Sequence, residues 1–228
     1  SLPPARMKLF LASASPAEIG WAVEHALADG IVTSPALLAH ERPAGDPRDL
    51  LAELSRVAAF PVHASVASVD PHDIHRDGRE LARIGDNVIV QVPLVDDAVV
   101  AIRRLALDGV RVAATLVFSA AQALLAAKAG ASAVVVPLDQ LDALGLDSIT
   151  VLSQVRSVFD RGGVECDLLA AQPNGAAEFT ACALAGADAA IVDLPTVRTL
   201  LVHPLTDRGV DAFLRELSTR PKPRIAPV

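Results

Sequence analysis

The feature that most constrains this chain is a rhythm. Eight short apolar runs of β type recur along it, at residues 8–12, 31–33, 62–66, 88–92, 111–117, 133–136, 167–171 and 189–192. Most are apolar throughout rather than alternating, the pattern of parallel strands covered on both faces. Their mean spacing, roughly 25 residues, is that of one strand-plus-helix unit.

The stretches between the runs read as helices. Ser15-Pro16-Ala17-Glu18 reads as a capping box, Asp70-Pro71-His72-Asp73 repeats its logic, and Ser34-Pro35 opens a third helix in the same way. Leu50, Leu51, Leu54 and Val57 share one helical face, as do Ile149, Leu152, Val155 and Val158 or Phe159. Gly30, Gly109, Gly130 and Gly186 stand where glycines end helices. Eight such units predict a single (β/α)8 TIM barrel over residues 7–217, with an extra amphipathic C-terminal helix over 207–217. An open doubly wound sheet is the alternative, but the first strand runs into Ser13-Ala14-Ser15-Pro16 without the glycines of a phosphate loop. Residues 1–6, before Met7, read as an expression remnant. Residues 218–228 read as a basic, proline-rich tail, mobile or reaching a neighbouring subunit.

Composition narrows the function. With 52% hydrophobic and 21% charged residues the chain is expected to pack a core rather than remain disordered. A net charge of −7 speaks against a nucleic-acid partner. Apolar runs of about six residues are too short to cross a bilayer, so no membrane partner is expected. The start of the chain lacks the apolar core of a signal peptide. Cys166 and Cys182 are too few for a disulfide framework and lack metal-ligand spacing, and a cytoplasmic location is expected. No motif calls for a cofactor.

Barrel active sites form at the carboxyl ends of the strands. There the sequence offers Ser13 and Ser15, Thr33 and Ser34, Ser65 and Ser68, Gln91, Thr115 and Ser119, Asp139 and Asp142, Gln172 and Asn174, and Asp193. Gln91 is the most informative, because a long polar side chain inside Val88-Ile89-Val90-Gln91-Val92-Pro93 is costly unless it finds partners. It either pairs with neighbouring strands or points into the barrel mouth.

Four segments carry a family resemblance: Leu9-Phe10-Leu11-Ala12-Ser13, Gly30-Ile31-Val32-Thr33-Ser34-Pro35, Val90-Gln91-Val92-Pro93, and the run from Ala114-Thr115-Leu116-Val117 to Phe118-Ser119-Ala120-Ala121-Gln122-Ala123. With Ala185-Gly186-Ala187-Asp188 and Leu194-Pro195 they resemble the small transaldolases, which include the fructose-6-phosphate aldolases. The resemblance implies a strand-four lysine that forms a Schiff base with a ketose carbonyl. At that position this chain has Gln91. It also implies a first-strand aspartate where Ala12 stands, an asparagine where Ser34 stands and a strand-three glutamine where Ser65 stands. The tyrosine and arginine of strand six fall in Val136-Pro137-Leu138-Asp139-Gln140, and the serine and cation of strand seven in Ala171-Gln172-Pro173. Thr33, Thr115 and Asp142 remain as the family has them. The only other amines are Lys8, Lys128 and Lys222, none of which the pattern places in the mouth.

Several rival constellations exist. His72 and His75 share a face at a helix start and, with Asp70 or Asp73, have spacing suited to a divalent metal; a solvated helix start is the plainer reading. Asp139, Asp142 and Asp193 would suit a cation, an amine or a polyol; the plainer reading is that each caps a helix or loop. His63, early in strand three, reads as a core residue, and both cysteines as packing.

The expectation is a transaldolase-like protein of carbohydrate-metabolism descent that has lost Schiff-base chemistry and acts as a binding or regulatory pseudoenzyme. Its ligand would be small and polar, met by Ser13, Thr33, Ser34, Ser65, Gln91, Thr115, Ser119, Asp139, Asp142 and Gln172. Two alternatives stand beside it: metal-assisted or acid–base chemistry in the same mouth, and retained aldolase activity by another route. The resemblance further implies a homo-oligomer, a pentamer or decamer. Val210, Phe213, Leu214 and Leu217 would supply a helical stripe for a neighbour or for the parent barrel.

Overall fold

A computed structural model of the chain describes residues 7–219. The leading segment 1–6 and residues 220–228 of the tail lie outside the described residues. Strands and helices alternate in the order β1 (Lys8–Ala12), α1 (Pro16–Glu24), β2 (Gly30–Val32), α2 (Pro35–Glu41), α3 (Pro47–Val57), β3 (Val62–Ser65), α4 (Pro71–Ala82), β4 (Val88–Pro93) and α5 (Ala98–Leu107). They continue through β5 (Val112–Thr115), α6 (Ala120–Ala129), β6 (Ala133–Pro137), α7 (Leu138–Ala143), α8 (Ser148–Gly162), β7 (Asp167–Ala171), α9 (Gly175–Leu184), β8 (Ala189–Val192), α10 (Leu194–Leu200) and α11 (Pro204–Thr219).

Every strand pairs in parallel with the next, and β8 returns to β1, with Phe10 opposite Ile191, so the sheet closes into the (β/α)8 barrel that the eight runs predict. Among the described residues no helix is long and apolar enough to cross a membrane.

Strand pleating divides the apolar residues between two cores. Leu11, Ile31, Val62, Val90, Val112, Val134 and Leu168 face outward, under the helices. Phe10, Ile89, Ala113, Ala133, Val135, Leu169, Ala189 and Ile191 face inward and fill the barrel. The inward face is rich in small residues because opposing strands converge there. Gly30 shows how tight the fit is: a Cβ on it would come within 2.8 Å of the Phe10 ring. Gly30 therefore begins β2 and faces the interior, rather than ending the preceding helix as its position in the sequence implies. Gly130 does end a helix, with φ 106° at the C-cap of α6.

Other sequence readings meet corrections. Ser15 makes no side-chain cap bond to α1; Glu18 is held by the Ser13 hydroxyl at 2.6 Å, and the Ser15 N–H donates to the Ser13 Oγ at 3.0 Å. The caps at Ser34 and Asp70 hold, accepting from Leu37 and from His72 and Asp73. Leu50, Leu51 and Leu54 are buried, but Val57, at the last turn of α3, is 69% exposed. β5 is shorter than its apolar run, because Leu116 takes φ 58° and turns the chain out of the sheet. α11 starts earlier than expected and takes in Ser218 and Thr219. It buries none of its residues, and Phe213 is 58% exposed, so its stripe does not pack on the parent barrel.

Candidate functional site

The carboxyl ends of the strands surround a cavity of ≈ 280 Å³ lined by Ala12, Val32, Thr33, Ser34, Leu37, Ser65, Gln91, Thr115, Leu116, Val135, Pro137, Asp139, Gln140, Ala171, Gln172 and Ile191. Most of these residues come from inward positions at the tops of the strands. Ala12, Thr33, Ser34, Ser65, Gln91, Thr115, Asp139 and Gln172, read from sequence as site residues, meet in it.

Gln91 forms part of the floor and is 6% exposed. Register places it beside Ser65 on β3 and Ala113 on β5. Its Oε1 accepts from the Ser65 hydroxyl at 2.9 Å. Both sequence readings of Gln91 are thus realised at once: it pairs with a neighbouring strand and it borders the mouth. The Thr33 hydroxyl, at 1% exposure, donates to the His63 carbonyl at 2.7 Å, so Thr33 secures β2 to β3 at the cavity wall.

Three expected site residues stand apart from this cavity. The Ser13 hydroxyl is spent on Glu18. Ser119 caps α6, accepting from the Gln122 N–H at 3.2 Å. Asp142 accepts from the Ser148 hydroxyl at 3.1 Å and holds the start of α8.

Asp142 belongs instead to a second cavity, of ≈ 450 Å³, lined by Asp139, Asp142, Gln172, Pro173, Asn174, Glu178, Val192, Asp193 and Thr196. Asp139 and Gln172 stand in the walls of both. Gln172 takes φ 59°, and with Leu116 it places two non-glycine residues in the left-handed region at the mouth, a conformation retained only where the surroundings impose it. Glu178 escapes sequence reasoning. It sits in the first turn of α9, where an acid is ordinarily read as a partner of the helix dipole; in the fold it also lines the second cavity.

The remaining candidates lie elsewhere. His75 Nε2 is 2.9 Å from Asp108, and among the described residues no group of three or more His, Cys, Asp and Glu side chains is placed to hold a metal ion. Burial pushes the thiols of Cys166 and Cys182 up to about 12, which keeps both as packing groups. His63 lies on the barrel side of β3, in edge contact with Phe10, and neither ring nitrogen has a hydrogen-bond partner. Burial, aided by Arg111, lowers its pKa to about 3.

A closed parallel barrel with a polar cavity at the carboxyl ends of its strands defines a (β/α)8-barrel protein, with that cavity at the end where barrel enzymes carry their sites. More narrowly, the chain belongs to the transaldolase/fructose-6-phosphate aldolase family, whose model matches residues 13–221. It is 40% identical over 217 residues to a probable transaldolase of Sorangium cellulosum, covering 95% of this chain and 99% of the relative. It is 37% identical over 214 residues to a probable transaldolase of Desulfotalea psychrophila, covering 94% and 99%. A probable transaldolase of Hyphomonas neptunium is 37% identical over 211 residues, covering 92% and 96%.

Proposed function

We propose that this chain is a member of its family that binds a small polar ligand without Schiff-base chemistry, as a binding or regulatory protein of carbohydrate-metabolism descent. The observation that carries this reading is the chemistry of the mouth. Gln91 occupies the strand-four position at which the family resemblance expects a reactive amine. No lysine stands among the residues lining either cavity. Lys8 lies at the amino end of β1, remote from the mouth, and Lys128 is exposed in the last turn of α6. Lys222 lies outside the described residues.

A carboxamide nitrogen delocalises its lone pair into the carbonyl and does not condense with a ketone. Ala12 supplies no acid or base where the resemblance expects an aspartate. The residues that remain can donate and accept hydrogen bonds, and they suit reversible binding.

The test is reductive trapping. The protein is incubated with dihydroxyacetone and borohydride, and its intact mass is measured. The expected result is an unchanged mass; an adduct on any lysine overturns the reading and favours retained transaldolase activity, the activity in the relatives' names. The acidic second cavity favours one other reading, acid–base or metal-assisted chemistry. Turnover of a sugar that is abolished by a chelator, or by Asp139→Asn, would establish it.

The assembly belongs to the same proposal. A 16-residue helix with no buried residue and an exposed apolar stripe is accounted for by a homo-oligomer, the pentamer or decamer that the resemblance implies, in the cytoplasm. Light scattering on the purified chain tests it, and a monomer would refute it.

A further inference from the structure

The two cavities of the mouth differ in chemistry and are neighbours, sharing Asp139 and Gln172 in their walls. The inner one ends on Gln91, whose side chain is more than nine-tenths buried yet hydrogen-bonded at one end only. Among the described residues nothing partners its amide nitrogen. A buried polar group loses the hydrogen bonds of water unless something replaces them, and the cavity is the side from which a replacement can come.

The outer cavity carries Asp139, Asp142, Glu178 and Asp193, and none of its lining residues is Lys, Arg or His. None of the four takes part in an ion pair among the described residues. Like charges converging on one concave surface focus a negative potential and concentrate cations there.

The helix starts at this end have a second consequence. In barrels of this kind an anion is ordinarily received near the loops after strands seven and eight, on free N–H groups at helix N-termini. Here side-chain carboxylates already occupy two of those groups. Asp193 accepts from the Thr196 N–H at 2.9 Å at the start of α10. Glu178 accepts from the Asn174 N–H at the start of α9. A phosphate at this position would meet four carboxylates, two of them already holding helix-start N–H groups.

We propose that the inner cavity, together with the acidic wall it shares with the outer one, binds an unphosphorylated polyhydroxylated amine. Its hydroxyl or carbonyl oxygens would lie toward the Gln91 amide and Thr115. Its ammonium group would lie against Asp139, a carboxylate with no hydrogen-bond partner among the described residues. This rests on the reading that the mouth binds without covalent capture, and it names the class of ligand captured.

The experiment uses the whole chain and three matched probes in titration calorimetry: glucamine, which is sorbitol bearing a terminal amine, sorbitol itself, and sorbitol phosphate. Glucamine is expected to bind roughly five- to tenfold more tightly than sorbitol at low salt, the increment of one or two exposed ion pairs. That margin shrinks as salt is raised, and sorbitol phosphate binds weakest. Asp139→Asn brings glucamine toward sorbitol, while Gln91→Leu weakens both probes alike. Tighter binding of sorbitol phosphate than of glucamine, equal binding of glucamine and sorbitol, or no binding of glucamine to the folded protein each overturns the proposal. None of the probes has a carbonyl, so the result is independent of borohydride trapping. A covalent adduct would sink the underlying reading, and a reversed order of probes would sink only the ligand class.

Discussion

Acidification should destabilise this barrel through His63 before its surface carboxylates are fully protonated. The imidazole is 1% exposed, sits beside Phe10 inside the barrel, and has no hydrogen-bond partner on either nitrogen. Burial first, and then the charge of Arg111, hold its pKa near about 3, against an ordinary value of 6.5. The folded state therefore keeps the ring neutral at pH values where the unfolded chain protonates it. The sign follows from linkage. Stability from this residue is fully present above pH 6.5 and is lost progressively as the pH falls toward 3. At about 1.4 kcal/mol per pH unit, roughly 2 kcal/mol is gone by about pH 5, and the full gap is worth about 5 kcal/mol.

The assay is urea denaturation followed by far-ultraviolet circular dichroism at a series of pH values, on the wild type and on His63→Leu. Leucine fills a similar volume and removes both unpartnered nitrogens. At neutral pH the variant should be at least as stable, since replacing unpaired polar atoms by apolar ones removes a desolvation cost. On acidification the wild type should lose stability faster, by about 2 kcal/mol between neutrality and about pH 5. Carboxylates titrate alike in both proteins, so the difference isolates His63. Parallel curves for the two proteins would refute the reasoning, because the ring would then have found a proton acceptor or water that the geometry does not supply.

Three further outcomes follow from particular contacts. Gly30→Ala puts a Cβ within 2.8 Å of the Phe10 ring; it should cost about 1–3 kcal/mol by overpacking in the same urea assay, and Phe10→Leu should relieve part of the loss. Asn87→Ala should cost about 2–3 kcal/mol, because one amide nitrogen serves the carbonyls of Ser55, Ala58 and Phe60 while the amide oxygen accepts from the Ser55 hydroxyl. Gln91→Lys restores an amine at the floor of the mouth; borohydride trapping with dihydroxyacetone should then label it, while cleavage of a sugar phosphate stays near background, since Ala12 carries no proton.

The strands are legible because parallel strands covered on both faces leave uninterrupted apolar runs, and seven of the eight runs lie within one residue of the observed strand at each end. β5 was overextended because nothing in Thr115-Leu116-Val117 announces a left-handed leucine. The capping box failed for a related reason. Serine and glutamate at the right spacing signal a cap only when no nearer donor competes, and Ser13 reaches Glu18 first. Of the site, the floor could be read from Gln91, since a polar side chain in a buried run has few roles. The acidic outer cavity could be read only in part. Asp139, Asp142 and Asp193 follow strand ends, but Glu178 lies inside a helix, where an acid reads first as a partner of the helix dipole.

A site in such a barrel can also be defined by subtraction. Polar side chains at strand ends serve two demands, the capping of eight helix starts and the meeting of a ligand, and one group rarely satisfies both. Ser119 and Asp193 are engaged on the N–H groups of Gln122 and Thr196, and Asp142 and Ser13 on the hydroxyl of Ser148 and the carboxylate of Glu18. Thr33 ties two strands together. Among the side chains left uncommitted in the described residues are one end of Gln91, the Thr115 hydroxyl, the Asp139 carboxylate and the Gln172 amide, and these four border the inner cavity. The helix starts would keep their caps under a change at any of these positions, because none of the four caps a helix. The fold thus leaves the chemistry of the mouth free to change, and a barrel from an aldolase family can present a carboxamide and carboxylates where its resemblance implies an amine and phosphate-binding cations.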